Sequence, residues 1–337
     1  MRGFWKRGAE QEKPVPAPSV MSLNGNPTLP LAVSNLKALK ARPCIAPDWK
    51  FRAVTVHEEI YNKTRRAYPY FGEVQVVVTG TPLVRMLSHN DDMVACIYFY
   101  FGRDAYESLS VRLFAEFAKG AEAVLDIGAF TGLFGLVAAR VEPKALVTSF
   151  EPLPHIAERA RLNGELNGLT NYQVKAQAVS GVAGAAALTL YGGTTATTGA
   201  SLAKKTRSDI GSITVDVTTI DDYARGLGDR RVRLIKLDTE GDEVAAIVGG
   251  AQTLATQRPV VLAEVLNDKA VADQTGAMAA HGYKAWYVDE KARRLVAVGD
   301  GFTLAKRGYG NLLFAADEAC VARAQAVAEA FCEAGAA

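Results

Sequence analysis

The sequence predicts an α/β protein in which a mostly parallel sheet is covered by helices on both faces, and three observations predict it. The stretch AVLDIGAFTG (123–132) runs apolar, acidic, then through a turn bounded by Gly128 and Gly132, and the helix-like LFGLVAARV follows. Strand-like and helix-like segments then alternate for most of the remaining chain, the pattern of a sheet whose crossovers lie on its faces. RLIKLD (233–238) and PVVLAEV (259–265) read as buried strands within that alternation.

Composition sets the bounds. The 337 residues suffice for one large domain, or one domain with a substantial appendage, and 49% hydrophobic and 22% charged residues are those of an ordinary globular protein. The formal net charge of +2 gives no global field for nucleic acid or an anionic membrane. Cys44, Cys96, Cys320 and Cys332 show no CxxC or metal-ligand spacing, which argues against a disulfide framework or a zinc site and suits a reducing cytoplasm. The opening MRGFWKRGAEQEKPVPAPSV is basic without an apolar core of signal-peptide length, and no run reaches the roughly 18 apolar residues of a membrane span. A cytoplasmic enzyme with no membrane partner is expected.

In chain order, residues 1–45 are rich in Pro, Asn and Ser, and PVPAP favours extended backbone. They read as a flexible arm whose roles range from tether or homodimer contact to substrate lid. VQVVV (74–78), Gly80-Thr81-Pro82 and LVRML (83–87) spell a hairpin. MVACIYFY follows as a short aromatic helix or extended piece. A second helix begins at Asp104 or Ser108 and ends at Gly120, completing an α+β cap over 46–120. The main domain over 121–316 continues with ALVTSF (145–150), a helix entered at Pro152 and Pro154, and YQVKAQAVS (172–180) as a third strand. AALTL and SITVDVTTI form a β excursion around the Gly/Thr-rich loop 192–201. DEVAAIVGGAQTL reads as a helix with its acids in the first turn, KAWYVD with RLVAV as a hairpin, and NLLFAA as the closing strand; 317–337 is an amphipathic helix. No internal repeat is present.

The glycine turn sits where a nucleoside can approach backbone closely. A dinucleotide would call for G-x-G-x-x-G; Gly128-Ala129-Phe130-Thr131-Gly132 has no third glycine for a pyrophosphate. Asp126 closes the first strand, and Glu151, at the end of the next, can accept both ribose hydroxyls. S-adenosylmethionine carries a ribose, an ammonium and a sulfonium but no phosphate, and suits these groups better. Taken alone, a D-x-G-x-x-x-G is common and Glu151 could be a helix N-terminal charge.

VLDIGAFTG, SFEPLP, a helix with Asn163 and Asn167, AVS, TTIDDY, LIKLDTEGDE with GGAQTL, and RPVVLAEV together resemble the FkbM-type methyltransferases. The resemblance runs from about Met93, through Gly102 to Glu107, to Phe314, and its specific part is IK-x-D-x-EG followed by an acid and a broken helix. It implies a class I SAM-methyltransferase (Rossmann-like) fold with a seven-stranded, mostly parallel sheet behind the N-terminal cap. It also implies methylation of hydroxyls, often on sugars or natural products. Matched position by position, Asp126, Gly128, Ala129 and Gly132 form the methionine-binding turn, Glu151 with Pro152 the ribose end, and Gln177 and Ala178 the adenine edge. Asp238 faces the sulfonium and the acceptor. Thr239 and Asp242 stand where Val and Ala are common, and Phe130 where Asn is common.

O-methylation needs a base beside the acceptor, since an alcohol is a poor nucleophile until its proton leaves. Asp238, Glu240 and Glu264 stand at neighbouring strand ends, where mutual repulsion can raise one of them towards neutral pH. They could instead hold magnesium or another divalent cation, a reading not favoured, so no metal ligand is assigned. The bland alternatives are Glu240 as a helix cap and Glu264 in an ion pair. Tyr98 or Tyr106 could face the sulfonium and Glu107 the methionine ammonium, although the Tyr98–Phe101 stripe reads first as packing. His281 reads as a helix C-terminal cation; His155, at a helix start, could line the adenosine pocket, and either His57 or His89 could reach over the site as a base, a reading not favoured. Two rival functions stand beside the O-methyltransferase. One is a nucleic-acid methyltransferase, disfavoured by DTEG where such enzymes carry an Asn/Asp-Pro-Pro-aromatic turn; the other is a non-catalytic SAM-binding scaffold.

Overall fold

The computed structural model describes residues 34–41, 63–78, 82–191, 209–304 and 309–334. Most of the Pro-rich arm, His57 and the loop 192–201 lie outside the described residues. Helices α1 (34–41) and α2 (63–67) precede the hairpin β1 (Phe71–Val77) and β2 (Pro82–His89), which pairs antiparallel with Val74 opposite Met86. MVACIYFY resolves as α3 (Met93–Phe101), because Asp92 accepts the Ala95 N–H at 2.9 Å and caps it. The next helix, α4 (Ser108–Ala118), begins at the later of its two expected starts.

The main sheet is built on β3 (Ala123–Ile127), every residue of which is buried. α5 (Leu133–Val141), β4 (Leu146–Phe150), α6 (Pro154–Leu166) and β5 (Tyr172–Lys175) extend it on one side. β9 (Val232–Leu237), α8 (Glu243–Val248), α9 (Ala251–Gln257), β10 (Val260–Val265), α10 (Asp268–Ala279), β11 (Lys284–Asp289), β12 (Arg294–Ala297) and β13 (Gly310–Ala315) extend it on the other. The order is β12-β11-β13-β10-β9-β3-β4-β5. β5, β4, β3, β9 and β10 run parallel, and β13 is antiparallel to both β10 and β11. The expectation of seven strands is corrected to 8, because β12, the return arm of the expected hairpin, pairs along the edge of β11.

Two further boundaries differ from the sequence reading. YQVKAQAVS is not one strand: β5 ends at Lys175, and β6 (Ala178–Val179) joins β7 (Gly184–Tyr191) and β8 (Asp209–Thr218) in a separate three-stranded sheet. DEVAAIVGGAQTL, one helix by its pattern and a broken one by the family resemblance, is two helices parted at Gly249-Gly250, where a Cβ on Gly249 would stand 2.3 Å from the Ser180 carbonyl. Close packing on the β6 turn thus forbids a side chain at the point where the two helices part. Between β8 and β9, α7 (Ile220–Arg225) is capped by Thr219, which accepts the Asp222 N–H at 3.0 Å.

Alternation along the central strands divides the core. Val124 and Leu234 pack with α3, α4 and α5 on one face, and Leu125, Ile127, Ile235 and Leu237 with α7 to α10 on the other. The outer edge of β2 is finished by side chains of α6. Asn163 accepts the Leu87 N–H at 2.8 Å and donates to the Thr131 carbonyl at 2.9 Å; Asn167 accepts the Arg85 N–H and donates to the Arg85 carbonyl. The two asparagines of the sequence motif therefore do the work of a neighbouring strand and tie the hairpin to the glycine turn. The closing helix α11 (Glu318–Ala334) is held by Phe331, whose ring lies 3.9 Å from the Arg112 guanidinium and 4.3 Å from that of Arg293.

Candidate active site

A cavity of about 320 Å³ opens at the carboxyl ends of β3, β4, β9 and β10, where an open α/β sheet presents its binding groups. Gly128 makes it possible. Its φ is +75°, and a Cβ there would lie 1.7 Å from the Asp238 carbonyl oxygen, so only glycine lets the two strand ends meet. Gly128 and Ala129 both donate N–H to the Phe150 carbonyl, at 2.9 and 3.0 Å. Phe130 also has positive φ, 50°, a backbone region that Asn enters more readily than an aromatic residue; this is the physical content of the departure noted above. Gly132 completes the turn at φ +95° beneath the Tyr172 hydroxyl.

Asp126 is turned into the structure. Its Oδ2 accepts the Gly135 N–H at 2.8 Å and the Ser149 hydroxyl at 3.1 Å, fastening α5 to the sheet, and burial pushes its carboxyl up to about 6 despite those bonds. Glu151 accepts Phe130 N–H on one oxygen and Leu153 N–H on the other, at 3.1 and 2.9 Å. Burial, reinforced by Asp126 and Asp238, lifts it to about 8 against those two bonds. Pro152, Gln177 and Ala178 line the same end; Gln177 lies where the chain passes from the main sheet to the small one.

At the other end stands a cluster that the sequence reading caught only in part. Lys236 falls on the α4/α5 side of β9, its side chain 1% exposed, with Nζ 2.8 Å from Asp238 Oδ2 and 5.0 Å from the Phe134 ring centre. Burial opposes its charge, but Asp238, Glu107 and Glu264 together outweigh that and raise it. Glu107, in a left-handed conformation just before α4, accepts from Asn311 Nδ2 at 2.9 Å; burial raises its carboxyl and Lys236 pulls the other way. Glu264 is held well above the usual carboxylate range by burial, then by Asp238 and Glu240, against the pull of Lys236, and its Oε2 is buried without a hydrogen-bond partner. Glu240 lies in the left-handed turn between β9 and α8. The carboxylate that folds back over this turn is Glu243, accepting the Thr239 and Gly241 N–H groups at 2.9 and 3.0 Å and the Thr239 hydroxyl at 3.0 Å.

The cavity lining thus brings together Asp126, Gly128, Ala129, Glu151, Pro152, Gln177, Ala178, Glu107, Asp238, Glu240 and Glu264. Tyr98 is not in the lining: it is 2% exposed and its hydroxyl donates to the Tyr106 carbonyl at 3.2 Å, leaving Tyr106 to face the cavity. Gly132 shapes the turn from behind. His89 pairs with Arg159 away from the lining, and neither His155 nor His281 reaches it. Lys236, Glu243 and Tyr309 were not singled out by sequence reasoning. For Lys236 the signal was present, a lone charge inside the apolar run LIKL. Among the described residues no group of three or more His, Cys, Asp or Glu side chains is placed to hold a metal ion, and no helix is long and apolar enough to cross a membrane.

Five parallel strands with β13 inserted antiparallel beside β10, and a glycine turn after the central strand, define a class I methyltransferase fold. Residues 126–285 match the Methyltransferase FkbM domain. Among solved structures it is similar to a methyltransferase FkbM from Methylobacillus flagellatus KT, at 16% identity over 58% of this chain and 43% of the other, TM-score 0.37. It is also similar to an O-methyltransferase from Bacillus cereus in complex with SAH, at 15% identity, 61% and 78% coverage and TM-score 0.34. A third is the O-methyltransferase TomG from Streptomyces achromogenes in complex with SAM, at 15% identity, 63% and 79% coverage and TM-score 0.36. The chain spans less than half the length of the Methylobacillus structure. Comparison with curated proteins gives no match.

Proposed function

We propose that this chain is an S-adenosylmethionine-dependent O-methyltransferase acting on a hydroxyl of a small molecule, sugar or glycan. The observation that carries this reading is the continuity of one cavity from Glu151 and Gln177, past Gly128, to Asp238, Glu240 and Glu264. Its residues fit the cofactor. Glu151 would meet the ribose, Gln177 and Ala178 the adenine edge, and Glu107 the methionine ammonium, and the unpartnered Glu264 oxygen lies at the reacting end. When bound, that cofactor supplies a methyl already activated on a sulfonium. The chain's own residues must bring the acceptor oxygen to about 3 Å in line and remove its proton. Met93 and Tyr106, from the segment before β3, and Tyr309, beside β13, enclose the space where an acceptor would sit and would set its identity. Isothermal titration with SAM and with SAH tests the reading: saturable binding of both is expected, and the absence of heat for either overturns it. Acceptor hydroxyls are then compared by transfer of labelled methyl.

A further inference from the structure

The carboxylates at the reacting end differ in what holds them. Asp238 accepts from Lys236 on Oδ2, and Glu107 accepts from Asn311 on Oε2. Glu264 Oε2, buried against the same cavity, has no partner. The residue itself is firmly placed: β10 is paired on both sides, Glu264 lies opposite Asn311 in register, and Gln274 of α10 donates to its carbonyl at 2.7 Å. The groups that face it are Lys236 from β9, Asp238 and Glu240 from the turn that follows it, Glu243 from α8 and Tyr106 from the segment before α4, a single cation among them.

We infer that Glu264 is the group that takes the acceptor hydroxyl's proton, and that a cation arriving in the cavity is what readies it to do so. This rests on the methyltransferase reading. With no cation beside it, burial and the neighbouring carboxylates disfavour charge on Glu264 and hold its carboxyl well above the usual range. A sulfonium nearby favours the charged form, so its arrival expels the proton and leaves a carboxylate free to accept another. In the transfer the acceptor's O–H bond breaks and its proton goes to Glu264. The oxygen pair forms the new C–O bond, and the methyl–sulfur pair stays on sulfur, which becomes neutral. With the positive charge gone, Glu264 again favours its proton, and the product leaves a protein reset for the next cation.

The test is the number of protons exchanged on binding, read by titration calorimetry of the full chain at several pH values from about 5 to 8 in buffers of different ionisation enthalpy. SAM, which is cationic at sulfur, is expected to release at least half a proton more than SAH, and the excess is expected to vanish in Glu264→Gln while SAM still binds. In the unaltered protein, SAM affinity is expected to rise up to about tenfold per pH unit below the Glu264 titration, and more steeply than that of SAH. Equal proton release for the two ligands, equal pH slopes, or an excess that survives in Glu264→Gln each overturns the proposal. Failure of SAM to bind the unaltered protein would instead overturn the methyltransferase reading.

Discussion

Lys236 stands at the centre of the reacting end although its side chain is only 1% exposed: its ammonium is the one positive charge among Asp238, Glu107 and Glu264. Removing one partner of a buried ion pair leaves the other uncompensated, at a cost of about 3 kcal/mol. Lys236→Met is therefore expected to lower unfolding free energy by about that amount, and adding Asp238→Asn to recover at least half of it. Urea denaturation of the single and double variants reads both, and a double variant no more stable than the single would sink the account. The sequence showed Lys236 only as an anomaly within LIKL, because which face of a strand meets the cavity depends on register against β3. The part played by Glu243 was likewise not legible. The left-handed backbone at Glu240 and Gly241 turns the chain so that Glu243 reaches back, and spacing alone does not encode that reversal.

At the scale of elements, the strand-turn-helix at 123–132 and the alternation after it were legible, since turn glycines and apolar runs are local signals. The division of YQVKAQAVS between two sheets was not, because β6 finds its partner in β8, far along the chain. The asparagines of α6 were legible as a motif but not as a mechanism. Asn163 satisfies one N–H of β2 and the buried Thr131 carbonyl at once, and each such group left unpaired costs about 1–3 kcal/mol. Asn163→Ala is expected to destabilise the protein by about 2–4 kcal/mol. Asn163→Asp, which accepts but cannot donate, is expected to restore little of it; an aspartate variant as stable as the parent in guanidinium melts would contradict this.

Over the whole molecule, several buried carboxyls share one direction. Burial is the first cause in each, and it raises Glu151 to about 8, Glu290 to about 7, and Asp126 and Asp92 to about 6. A carboxyl whose folded value lies above its unfolded one binds its proton more tightly in the native state. The stability this contributes is full below the unfolded value, near 4, and is lost as pH rises through the folded value. The ligand-free protein is thus expected to melt at a lower temperature at pH 8 than at pH 6, and scanning calorimetry across that window checks it; a flat or rising profile would be the contrary result.

The place of β13 bears on how the chain is made. It sits between β10 and β11, yet it is the last strand of the sheet to be synthesised. Until residues 310–315 emerge from the ribosome, β10 and β11 each present a bare edge to the cell, and such an edge is a template for pairing with another chain. A nascent chain paused ahead of Gly310 would hold a nearly complete sheet with a gap through it. Chaperone protection is then needed most at that late point in synthesis, and the stretch that ends the need is GNLLFA.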